Sequence, residues 1–122
     1  MKLFILFAMI FAHIVDDYYL QGILAKMKQK KWWQENAPSK LYRNDYIVAL
    51  IMHSFSWSFM ITLPTLFIST NYIIMVCFII FNTIFHACID NEKANKYSIN
   101  LIVDQTCHII QIISTWIAII IV

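Results

Sequence analysis

The stretch Ser98–Val122, SINLIVDQTCHIIQIISTWIAIIIV, decides the fold. Its isoleucine richness would suit β-strands in water. Its length and apolar character suit a bilayer, where a segment of this kind satisfies its own backbone only as a helix. A transmembrane barrel would instead alternate polar and apolar residues over segments of about ten, and no such alternation occurs. Asp104, Gln105 and His108 sit inside this apolar run, so the same stretch also raises the question of function.

Working outward, three further apolar stretches appear: Met1–Leu24, Tyr46–Ile68 with Pro64 near its far end, and Tyr72–Ile89. Ser69, Thr70 and Asn71 separate the second from the third, and Asp90–Lys96 reads as the loop before the fourth. The expectation is an all-α polytopic membrane protein, a bundle of four transmembrane helices spanning about 3–25, 46–68, 72–90 and 98–121. Residues 1–122 read as one integral membrane domain. Composition agrees: 61% of the 122 residues are hydrophobic and 13% are charged, against about 45–50% and 25% in soluble domains. This excludes a disordered tail and an ordinary soluble domain. A single glycine excludes a P-loop and a dinucleotide fingerprint. The three cysteines, Cys77, Cys88 and Cys107, are odd in number, lie in apolar stretches and form no CxxC pair, so they read as small hydrophobes. Lys2 before an apolar run resembles a signal peptide, but the cleavage pattern is poor and Asp16-Asp17 follows awkwardly. The stretch therefore reads as a retained helix.

Lys26, Lys28, Lys30, Lys31, Lys40 and Arg43 make the segment 26–45 strongly basic, opposed only by Glu35 and Asp45. Lys93 and Lys96 make the third loop basic too. By the positive-inside rule both loops face the cytoplasm and both termini face outside, with Lys2 counting slightly against this. The expected location is a bacterial plasma membrane, crossed several times. The expected partners are the bilayer itself and anionic headgroups at the basic loop. Trp32 and Trp33 sit where an interfacial aromatic belt would, which speaks against a nucleic-acid patch.

Ionisable side chains within spans are costly and mark functional sites. Here the first helix carries His13, Asp16, Asp17 and Gln21, the second His53, the third His86 and Asp90, the fourth Asp104, Gln105 and His108. On the first helix the four fall within an arc of about 140°. His86/Asp90 and Asp104/His108 are spaced four apart and stack on one face. Counted from the cytoplasmic ends, all lie within about 15–18 Å of that interface. One pocket fed by four helices is the reading. A lone His53 would be a packing residue; Asp16-Asp17 inside an apolar helix needs partners or protonation. Lys26 and Lys93 are available but are expected to snorkel to the surface.

Imidazoles beside carboxylates suit a divalent metal, Zn²⁺ first, with Mn²⁺ or Fe²⁺ in a more oxygen-rich site. The candidate metal ligands are His13, His86, Asp90 and His108. Asp16, Asp17 and Asp104 are candidate catalytic carboxylates, and Gln21, His53 and Gln105 complete the polar site. Lys26, Lys93 and Arg43 are candidates to hold a phosphate or headgroup.

At these residues the chain resembles a family of small bacterial and phage integral membrane proteins of uncharacterised function. The resembling motifs are His13-x-x-Asp16-Asp17-Tyr18-x-Leu20-Gln21 with Lys26, His53, His86-x-x-Ile89-Asp90 with Lys93, and Asp104-Gln105-x-x-His108. They cover nearly the whole chain, and the last is the most specific. The arrangement is similar in style to membrane-bound metal-dependent hydrolases, an analogy that carries no residue role across. Three functions follow as expectations: metal-dependent hydrolysis of an amphiphilic or lipid-phosphate substrate, cation or proton transport by a homodimer, and a non-enzymatic membrane interaction factor.

Overall fold

The computed structural model describes residues 1–121. Among them the chain is helical, with no strands: α1 Lys2–Val15, α2 Leu24–Met27, α3 Lys30–Asn36, α4 Asp45–Thr62, α5 Tyr72–Asn91 and α6 Leu101–Ile121. Four helical segments are long and apolar enough to cross a membrane: Lys2–Leu20, Lys40–Phe67, Tyr72–Lys96 and Leu101–Ile121. These are the four expected spans, with ends that differ for local reasons.

The first span stops at Leu20, four residues earlier than the apolar run. After α1 the backbone widens into a π-helical turn, Asp16–Leu20, and Gly22 then takes φ +50°, which only glycine adopts without strain. The third span runs further than expected. Asp90–Lys96 is not a loop: α5 continues to Asn91 and a second π-helical turn follows over Glu92–Lys96, ended by Tyr97 in the left-handed conformation. The basic segment is not an open loop either, since it holds α2, α3 and a 3₁₀ turn at Lys40–Tyr42. Pro64 lies in a 3₁₀ turn, Leu63–Phe67, that closes the α4 span. Asn71 accepts from the Ile74 N–H at 3.3 Å and Asn100 from the Val103 N–H at 3.0 Å, so each of these helices starts on an asparagine cap.

The long helices pack up and down. α4 lies against α5 and α1, and α6 against α5 and α1. Trp116 Nε1 donates to the Lys2 carbonyl at 2.9 Å, joining the start of α1 to the far part of α6 at one end. At the other end, Asn95 donates to the Lys28 carbonyl at 3.0 Å and accepts from the Lys30 N–H at 2.7 Å. The two basic connections therefore share an end, as the charge pattern required.

The bundle is turned inside out relative to a soluble one. Phe4, Phe7 and Phe11 on α1, Val48, Met52 and Phe55 on α4, and Ile102, Ile110 and Ile117 on α6 are exposed. The interior holds an apolar cluster of Ile5, Met9, Trp57, Ile61 and Ile112, and beside it a larger set of polar side chains. Exposed apolar faces over a polar interior are what lipid solvation selects.

Candidate metal centre

The interior polar set gathers at the end of the bundle where Lys28 and Asn95 meet. His13, Asp16, Asp17, His53, His86, Asp90, Asp104 and His108 are all buried. The π-helical turn at Asp16 narrows the angle between successive residues, which brings both adjacent acids to the inner face.

Four atoms converge most closely. His53 Nε2 lies 3.2 Å from Asp17 Oδ1, 3.2 Å from His86 Nε2 and 3.4 Å from Asp90 Oδ2. His86 Nε2 lies 3.7 Å from Asp90 Oδ2 and 3.9 Å from Asp17 Oδ1. Tetrahedral coordination with bonds of about 2.0–2.1 Å puts neighbouring donors about 3.3–3.4 Å apart. The five separations bracket that value. Two triads have the reach to hold one ion, Asp17–His53–His86 and His86–Asp90–His108.

The surrounding groups set the rings. Trp57 stacks on His86 at 4.2 Å and His86 on His108 at 4.1 Å between centroids, so neither imidazole can turn freely. His108 Nδ1 lies 3.4 Å from Gln111 Oε1, and Gln111 in turn donates to Asn82 Oδ1 at 3.3 Å while Asn82 donates to Thr115 at 2.9 Å. In the tautomer that donates from Nδ1 to Gln111, His108 turns Nε2, which has no hydrogen-bond partner, toward Asp104 Oδ1 at 3.5 Å and Asp90 Oδ1 at 3.6 Å. Asp16 accepts from Ser56 at 2.6 Å through Oδ1; its Oδ2 is 3.8 Å from His53 Nδ1, and both of these atoms lack a partner. A small rotation joins them, giving a carboxylate that orients the ring from behind.

Several expected roles shift. His53 stands at the centre of the closest convergence rather than at its edge. Asp17 is in one of the two triads, while Asp16 lies behind His53. His13 is buried in the set but outside both triads: its Nδ1 accepts from Trp57 Nε1 at 2.7 Å and its Nε2 donates to Gln105 Oε1 at 3.1 Å, so neither nitrogen is free. Gln105 uses its amide N–H groups on Asp104 Oδ2 at 3.0 Å and Asp17 Oδ2 at 3.4 Å. Gln21 does not reach the centre; it donates to the Asp17 backbone carbonyl of its own helix. Lys26 is exposed, and the lysine that enters is Lys28, 2.6 Å from Asp90 Oδ2. Lys93 reaches the surface in part and also pairs with Asp104 Oδ2 at 2.6 Å. Arg43 lines a separate pocket in the basic segment.

Sequence reasoning passed over Lys28, Ser56, Trp57, Asn82, Gln111 and Thr115. Asn82 is four residues before His86, Trp57 four after His53, and Gln111 and Thr115 continue the Asp104/His108 stripe. Extending each stripe by one or two turns would have found these four.

The fold and the site define an all-α bundle built around a buried histidine–aspartate centre. The chain belongs to the family of proteins of unknown function DUF3307, which it matches over residues 5–122. No curated protein and no solved structure matches it.

Proposed function

We propose that the chain is a polytopic membrane protein that binds one divalent metal ion through Asp17, His53, His86 and Asp90, with His108 beside them, and uses it to hydrolyse an amphiphilic phosphate ester. The single observation that carries this reading is the buried gathering of Asp17 Oδ1, His86 Nε2 and Asp90 Oδ2 within 3.2–3.4 Å of His53 Nε2, with the two carboxylate oxygens 3.7–3.9 Å from His86 Nε2. Zn²⁺ suits the mixed nitrogen and oxygen donors; Mn²⁺ or Fe²⁺ suits them if more oxygens join.

Charge supports a bound cation. Asp16, Asp17, Asp90 and Asp104 bring four carboxylates into the interior, and among the described residues the lysines that pair with them are Lys28 and Lys93. A divalent cation would offset this excess of carboxylates over lysines, since each buried unpaired charge costs several kcal/mol.

A metal held by these residues would supply an activated water, its pKa lowered to about 7. Asp104 Oδ1, which lacks a hydrogen-bond partner and lies 3.5 Å from His108 Nε2, would serve as the base for that water. Lys93, 38% exposed, lies at the rim and Lys28 lies inside it on Asp90, so they are the cations that would meet a substrate phosphate. A lateral groove between α1 and α6, lined by Ile10, Ile14, Tyr18 and Ile109, has His13 and Gln105 at its polar side and gives an acyl or isoprenyl chain a path from the bilayer. Both basic connections face the cytoplasm in this reading, which puts the centre near the cytoplasmic headgroups.

Elemental analysis of the detergent-purified chain tests the ion: about one divalent transition metal per chain is expected, and its loss in His53→Ala and His86→Ala. Hydrolysis of a short-chain phosphatidate that stops with a chelator tests the reaction. Full turnover by metal-stripped protein overturns the hydrolase, and a metal-free preparation that gains no Zn²⁺, Mn²⁺ or Fe²⁺ on titration overturns the centre.

A further inference from the structure

The basic segment folds into a pocket of its own. α3 and the turn that follows it wrap against the start of α4 to enclose a cavity of about 450 Å³. Lys30, Lys40 and Arg43 line it, with Trp33, Tyr42 and Tyr46. No acidic residue does. Among the described residues none of these three cations makes an ion pair, whereas Lys28, Lys31, Lys93 and Lys96 each have a carboxylate. The acids nearest in sequence are committed elsewhere or outside the lining: Glu35 lies 3.8 Å from Lys31, and Asp45 is in the first turn of α4.

The walls are held in place. Trp33 Nε1 donates to the Met27 carbonyl at 2.6 Å, and its ring stacks on Tyr42 at 6.3 Å and 20°. Lys30 Nζ sits 4.8 Å over the Tyr46 ring, which keeps its ammonium at the pocket without neutralising it. Three like charges gathered around one cavity repel one another and are stabilised by an anion between them. Arg43 adds a planar fork that fits two oxygens of one phosphate, and the lysines act as point charges. Leu41 is 76% exposed between Lys40 and Tyr42, so an apolar face adjoins the cationic one.

We propose that this pocket is an anion site for a phosphate monoester, presented by an anionic lipid headgroup. It is separate from the histidine–aspartate centre and stands or falls without it. The carrier of the phosphate is settled by comparing a lipid with a soluble ion.

The test is calorimetric titration of the full chain, stripped of metal and kept in chelator to prevent turnover, in neutral detergent micelles with dioctanoyl phosphatidate, dioctanoyl phosphatidylcholine and inorganic phosphate. Saturable binding of phosphatidate is expected, with phosphatidylcholine about tenfold weaker or more. Arg43→Gln is expected to weaken phosphatidate binding about tenfold, and Lys40→Gln several-fold. Lys31→Gln, which removes the same charge from the same segment outside the pocket, should change it less than about twofold. These side chains are exposed, and unchanged helicity by circular dichroism confirms that each variant is folded. Inorganic phosphate binding as tightly as phosphatidate, with the same Arg43 dependence, would keep the site and make the soluble ion its ligand. Equal losses in Lys31→Gln and Arg43→Gln would mean diffuse loop charge and overturn the proposal, as would the absence of saturable binding.

Discussion

The two ends of the bundle are built from the same helices and held by opposite means. Toward the termini, α1, α4 and α6 contribute Ile5, Met9, Trp57, Ile61 and Ile112, a dry cluster that holds by dispersion and close packing. Toward the basic connections the same helices contribute His13, Asp17, His53, Asp104 and His108, joined by His86 and Asp90 of α5. Polar groups there are satisfied by one another or left without partners. In a bilayer neither end would have a hydrophobic driving force of the kind water supplies. The dry end therefore gives rigidity, and the polar end converts that rigidity into fixed donor positions. Trp57 joins the two: it belongs to the dry cluster, stacks on His86 and donates to His13.

That contrast breaks most completely at its hinge. Trp57→Ala is expected to cost about 3 kcal/mol through the cavity and the lost indole hydrogen bond, read by denaturant unfolding in micelles. It should also lower metal content, because His86 loses the ring that holds it. A change confined to the polar end should separate the two properties. His53→Ala is expected to weaken metal affinity about 100-fold or more, since it removes the nitrogen nearest to all the other donors, with thermal unfolding of the metal-free protein little changed. A smaller effect is expected one layer out. Gln111→Leu frees the Nδ1 proton of His108 and should reduce metal affinity about tenfold, measured by competition with a chromophoric chelator. The smallest belongs to the lipid-facing surface, where Phe7→Leu should stay within about 0.5 kcal/mol in stability and leave metal content intact. An equal loss of metal in the Phe7 and Gln111 variants would erase the distinction between the ends.

The lysines give a finer comparison. Lys28 and Lys26 differ by two positions, yet only Lys28 touches the centre. Lys28→Gln should impair the hydrolysis of phosphatidate about tenfold or more, and Lys26→Gln should leave it unchanged within twofold.

Much of this was legible along the chain. Apolar runs of spanning length gave the four helices, because lipid leaves a backbone no other way to satisfy itself. Four-residue spacing put His86 with Asp90 and Asp104 with His108 on common faces, because that spacing is the helical repeat. Asn71 was read as part of a polar break and proved to be the cap of α5. The errors cluster where the helix departs from ideal geometry. The π-helical turns at Asp16 and Glu92 have no signature in composition. They moved the end of the first span to Leu20 and carried the third to Lys96. Roles within the site were legible only as a set. Spacing placed His13 on the inner face and depth set His53 level with it, but neither could tell which nitrogen would be taken up by Trp57 and Gln105 and which would stay free.

The sequence by itself determined the lipid-compatible helices, the basic end and the polar stripe on each helix, because these depend on residue type and local period alone. The tertiary structure alone decided that Lys28 and not Lys26 reaches Asp90, that Trp57 fixes His13, and that Lys30, Lys40 and Arg43 share one cavity. Each of those depends on where a connection folds back, through the turn at Gly22 and the Asn95 clasp on Lys28 and Lys30. Contacts between residues distant in sequence are set by the summed packing of the whole bundle and not by any one segment.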